Sequence, residues 1–102
     1  MNCMTLDMMK ELLTRQHPGW DSAYVERCAA QLLATLDARL CALLHTHYTT
    51  GKTPDFSHTY GGEKFSVLEI RAIRNCSYLD AVVLMDAYIR EPAVGRAKIL
   101  RR

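Results

Sequence analysis

No uninterrupted apolar run in this chain exceeds five residues, Ala81-Val82-Val83-Leu84-Met85 being the one nearest the C-terminus. A membrane-spanning helix needs about 20, so none is expected. The first residues, Met1-Asn2-Cys3-Met4-Thr5-Leu6-Asp7, lack the basic stretch and apolar core of a secretory signal. Charge of one sign is also lacking: 13 Lys and Arg face 11 Asp and Glu, a formal charge of +2. So slight an excess is not the strongly basic balance of a typical nucleic-acid binder. The four cysteines (Cys3, Cys28, Cys41, Cys76) form no Cys-x-x-Cys pair and are too sparse for a secreted disulfide scaffold. Free Cys in apolar helical patterns behaves as a small hydrophobe, and the expected compartment is the cytoplasm. With 49% apolar and 24% charged residues the composition excludes an intrinsically disordered chain. At 102 residues, one small domain is expected.

The apolar residues are distributed at helical spacing. Leu6, Met9, Leu12 and Leu13 share a face behind Thr5, and His17-Pro18-Gly19 ends that segment, giving a helix over 5–15. Asp21 then suits an N-cap. From Ser22 to about Tyr48 there is neither Gly nor Pro, and Val25, Ala29, Leu32, Leu36, Leu40, Leu43 and His47 recur at steps of three and four. This spacing predicts one long helix over 22–48, roughly 40 Å in length. Its apolar stripe is wide enough to suggest self-association. A breaker cluster, Thr49 to Asp55, follows. Two short runs around Gly61-Gly62 carry a hairpin signal over 56–65, with Phe65 opposite His58. An irregular loop fits that stretch equally well.

Ser66-Val67-Leu68-Glu69 has the form of a capping box and opens a helix over 67–75. Asn75-Cys76 makes a turn, and Ser77 caps a last helix over 78–90, which Glu91-Pro92 would stop. Residues 93–102 read as a basic tail. The fold expected is therefore all-α, a small four-helix domain with one long central helix and a helix-turn-helix-like C-terminal helical hairpin.

That hairpin has the rhythm of a DNA-binding helix-turn-helix, whose second helix reads the major groove. Base edges and phosphates call for Arg, Lys, Asn, Gln or Ser near the start of that helix. Here the start is Tyr78, Leu79, Asp80, Ala81, Val82 and Val83, then Asp86, with no basic residue before Arg90. Carboxylates facing phosphates would repel them. Charge does collect towards the end of the chain: residues 61–102 hold eight Lys and Arg against five acids, residues 1–60 five against six.

Motifs for catalysis and metals are weak. Asp37, Cys41 and His45 fall four apart, so on one helix they would share a face. With His47 or His58, Cys41 and His45 could form part of a zinc site, but structural zinc sites usually show two close ligand pairs. A mid-helix Cys41 also lacks the oxyanion donors that a nucleophile needs. Gly51-Lys52-Thr53 resembles the end of a phosphate loop, yet the position five residues before Gly51 is Thr46 and no strand precedes it. Met4, Met8 and Met9 fit a core better than a soft binding face. No cofactor, metal or small-molecule substrate is expected.

The preferred expectation is a non-enzymatic helical protein that acts by protein–protein interaction, as a regulator, adaptor or stoichiometric inhibitor of a larger machine. The surplus apolar surface of the last helix (Tyr78, Val82, Met85, Tyr88, Ile89) would meet the partner. The alternative is a dimeric helix-turn-helix DNA-binding regulator, with phosphate contacts from Arg71, Arg74, Arg96, Lys98, Arg101 and Arg102.

Overall fold

Helix-capping chemistry sets most of the boundaries in the computed structural model, which describes residues 4–101. The chain is mostly helical with one two-stranded sheet, in the order α1 (Leu6–Gln16), α2 (Ser22–Thr35), α3 (Ala38–Thr50), β1 (Ser57–Tyr60), β2 (Glu63–Ser66), α4 (Val67–Arg74), α5 (Tyr78–Arg90) and α6 (Pro92–Leu100). Two compact units divide between Lys52 and Thr53, inside the breaker cluster. No helix among the described residues is long and apolar enough to cross a membrane.

In the first unit, the Thr5 hydroxyl accepts from the Met8 amide at 3.2 Å and so caps α1. Met9, Leu12 and Leu13 turn inward from α1, Val25 and Ala29 from α2, and Leu40 and Leu44 from α3. Asp21 holds the N-cap position of α2 but makes no side-chain capping bond.

The expected long helix is broken. Leu36 takes an extended backbone, φ −66° and ψ 139°, and Asp37 restarts the chain as the N-cap of α3. Its carboxylate accepts from the Arg39 amide at 2.8 Å and from the Arg39 guanidinium at 3.0 Å by each oxygen. The Thr35 hydroxyl meanwhile donates to the Gln31 carbonyl at 2.9 Å. A side chain that bonds its own backbone competes with the helical ladder, and here Asp37 wins without help from Gly or Pro. Two helices of 14 and 13 residues result, each roughly 20 Å long. The 40 Å element that suggested a dimer is absent. Val25, Ala29, Leu36 and Leu40 of its stripe are buried in the unit's own core. Gly51, at φ +76°, ends α3 in the left-handed conformation that glycine adopts without cost.

In the second unit, the hairpin forms in the expected register, with His58 opposite Phe65 and Ser57 opposite Ser66. Gly61 and Gly62 both have positive φ, 59° and 82°. A tight two-residue turn of this hand requires that conformation at both places. The capping box at Ser66 is complete: its hydroxyl accepts from the Glu69 amide at 3.1 Å, and the Glu69 carboxylate accepts from the Ser66 amide at 3.0 Å. Asn75 turns the chain in the left-handed region at φ 50°. Ser77 then caps α5, accepting from the Asp80 amide at 3.1 Å.

The expected basic tail is a helix. Pro92 occupies its first turn, where a missing amide and a fixed φ cost nothing. What stopped α5 therefore also starts α6. Gly95 makes the contact with α5: a methyl carbon there would lie 2.3 Å from the Tyr88 Cα. The six helices of the described residues thus replace the four expected.

Candidate functional site

The five residues expected to face a partner lie on α5. Tyr78, Val82, Met85 and Tyr88 are at most 2% exposed, and only Ile89 is half-buried. They pack the core of the second unit, where α4, the hairpin and the unexpected α6, its own Ile99 fully buried, all lie against α5. The two tyrosines also bond within the unit. Tyr78 donates to the Pro54 carbonyl at 2.6 Å, and Tyr88 to the Glu63 carbonyl at 2.7 Å. The Tyr88 ring stands edge-on to His58 and Phe65. Burial, and to a lesser extent the charge of Asp55, push the Tyr78 hydroxyl up to about 12.

Asp86, read as a surface carboxylate that would repel DNA, is buried and accepts from the Arg90 Nε at 2.7 Å. α5 is therefore the central helix of its unit, with buried residues from Tyr78 to Tyr88.

The cations expected to touch phosphate separate into groups. Arg96 donates to the Glu63 carboxylate at 2.7 Å and ties α6 to the hairpin. Arg102 lies outside the described residues. Arg74, Lys98 and Arg101, by contrast, meet around one open groove of about 360 Å³, lined as well by Cys76, Asp80, Val83 and Leu84. Arg71 lies just outside it, near enough for its charge to act on the Cys76 thiol. The Arg74 guanidinium donates to the Arg101 carbonyl and so fastens the end of α6 to the end of α4. A second concavity of about 250 Å³ adjoins, lined by Ile73, Arg74, Leu100 and Arg101. Ile73 is 49% exposed and Leu100 36%.

The sequence signal for this groove lay in the spacing of Lys98 and Arg101. Three residues apart, they share a side only if the segment is helical. Two of the unit's cations are engaged, Arg90 with Asp86 and Arg96 with Glu63. Arg71, Arg74, Lys98 and Arg101 form no ion pair among the described residues.

Of the groups weighed for catalysis and metal binding, Asp37 and His47 have visible structural partners. Asp37 caps α3 at the break, so of the three only Cys41 and His45 lie within one helix, four residues apart, with Asp37 at its N-cap. The Arg39 guanidinium holds the Asp37 carboxyl below its usual range. His47 Nδ1 lies 2.8 Å from the Lys52 carbonyl. Cys28, Cys41 and Cys76 are free thiols and half-buried. Burial pushes the Cys76 thiol up, the opposite of what activates a nucleophile. Among the described residues, no three His, Cys, Asp or Glu side chains come together as a metal ion would need. Met4 and Met9 are core residues, and Met8 is half-buried.

The first unit carries a different surface feature. His17 stacks on Trp20 at 3.7 Å with 4° between the rings, and Tyr24 meets Trp20 edge-on. Trp20 and Tyr24 are 37% and 44% exposed. Compared with known proteins, the chain matches no family model, no curated protein and no solved structure.

Proposed function

We propose that this chain is a non-enzymatic helical protein that works by binding another protein, in the manner of a regulator or adaptor. One observation carries this reading: cations that form no ion pair among the described residues, and exposed apolar side chains, border the same concave surface of the second unit, around Arg74, Lys98, Arg101, Ile73 and Leu100. Protein interfaces favour that pairing, an apolar centre with arginine beside it. The partner surface thus moves from α5, where the sequence placed it, to the adjoining ends of α4 and α6.

A pull-down of the tagged full-length chain from its own cells, with and without nuclease, tests the reading. A protein retained after nuclease, and lost from a Lys98→Glu/Arg101→Glu variant, supports it. Nucleic acid as the sole captured species defeats it.

The helix-turn-helix alternative keeps one observation in its favour: α4, the Asn75 turn and α5 have that connectivity, with Arg71 and Arg74 in the last turn of α4. The burial of α5 weighs against it, because a recognition helix needs a free face. It predicts binding to duplex DNA that weakens steeply with salt, and a mobility shift absent at low salt removes it.

A further inference from the structure

The groove has more character than a basic patch. Its two concavities share Arg74 and Arg101. In one, this cationic pair lies with Val83 and Leu84 of α5, and in the other with Ile73 of α4 and Leu100 of α6. Apolar side chains thus accompany the shared cations in both concavities. Lys98 adds a third cation on the α5 side, and Asp80 is the one carboxylate in the lining.

We infer that this surface docks an acidic peptide segment whose carboxylates are flanked on both sides by large apolar side chains. The inference rests on the protein-binding reading above and names its site and its partner's chemistry. Charge complementarity selects the anion: three cations surround the groove and no ion pair neutralises them among the described residues. The Arg74 guanidinium is already held by the Arg101 carbonyl. A guanidinium has five N–H donors, so this bond orients Arg74 and leaves others for a carboxylate. Such charge-assisted bonds are stronger than neutral ones.

The apolar flanks decide between anions. Ile73 and Leu100 are exposed beside the arginines and would cover the apolar side chains of a peptide. A sugar–phosphate backbone offers them no counterpart. Peptide recognition of this kind reads an amphipathic segment by its apolar anchors and its charge.

The test is fluorescence anisotropy on the full chain at low and moderate salt. The probe is a labelled synthetic amphipathic peptide of about four helical turns, built from Glu, Leu and Phe. A peptide with Lys in place of Glu, a peptide with Ser in place of the apolar residues, and a labelled duplex DNA serve as comparisons. The expected result is saturable binding of the acidic amphipathic peptide alone. Lys98→Glu/Arg101→Glu should weaken it about tenfold or more. Ile73→Ser and Leu100→Ser should each weaken it several-fold at unchanged salt dependence, and Lys64→Glu on the hairpin should leave it unchanged. Circular dichroism of each variant verifies the fold.

Binding that the groove variants do not alter, or no binding to the acidic peptide, overturns the site. If nuclease-treated pull-downs still retain a protein, the protein-binding reading survives that loss. Tighter binding of the duplex, lost in the same charge-reversal variant, overturns both.

Discussion

Replacing Gly95 by alanine sets two effects of opposite sign against each other. In an exposed helix interior, alanine is favoured over glycine by about 1 kcal/mol. At Gly95, however, the added carbon would lie 2.3 Å from the Tyr88 Cα, 2.4 Å from the Tyr88 amide nitrogen and 2.7 Å from the Ala87 carbonyl carbon. Ordinary carbon contacts begin at about 3.5 Å, so α6 must withdraw from α5 by about 1 Å. The obstacle is backbone, and no change of rotamer relieves it. Overpacking costs about 1–3 kcal/mol and occasionally more, and a backbone obstacle places this site at about 3. The net loss is then about 2 kcal/mol, or a fall in Tm of roughly 8–16 °C for a domain of this size.

Thermal melts followed by circular dichroism measure it. Ala97→Gly, on the exposed side of α6, serves as the reference and should lose only about 1 kcal/mol, from propensity. Because α6 carries Lys98 and ends at Arg101, Gly95→Ala should weaken acidic-peptide binding as well. A Gly95→Ala protein as stable as the parent, or more so, would refute the close packing of α5 and α6.

Three further outcomes are expected. Tyr78 is protonated in the folded chain up to about pH 12, whereas an unfolded tyrosine ionises near pH 10; the unfolded state then holds fewer protons, so stability should fall as pH rises from about 10 to 12. Urea unfolding across that range reads this fall, which Tyr78→Phe should flatten. Asp37→Ala removes the cap that starts α3 and should cost about 1 kcal/mol; a neutral result in chemical denaturation would mean that the α2–α3 break does not depend on this carboxylate. Ser66→Ala breaks one half of the capping box at a buried position and should cost about 1–2 kcal/mol, while Thr59→Ala, on the exposed hairpin, should shift the melt far less.

Local chemistry with short reach was legible in the sequence. The Ser66–Glu69 box, the Ser77 cap, the Asn75 turn and the hairpin register each depend on residues within a few positions of one another. The structure shows all four. The α2–α3 break was hidden because nothing in Thr35-Leu36-Asp37 forbids a helix; the outcome turns on whether Asp37 bonds its own backbone or points to solvent. α6 was hidden for the opposite reason. Pro92 signals both an end and a beginning, and Gly95 reads as a weak helix residue until a neighbour requires its missing side chain. With α6 unread, Tyr78, Val82, Met85 and Tyr88 had no cover and resembled a docking face. The candidate groove was illegible on the same account: Lys98 and Arg101 reach Arg74 only when the segment that holds them is a helix packed on α5.

The assignment of the functional surface to the ends of α4 and α6 is the central claim, and amide chemical-shift mapping of the isotope-labelled full chain tests it most directly. On titration with the acidic amphipathic peptide, the amides of residues 73–76 and 98–101, with those of Val83 and Leu84, should shift together and saturate at one affinity. The Lys-for-Glu peptide should leave them in place. Shifts confined to the first unit, or shifts of these same amides produced more strongly by duplex DNA, would contradict it.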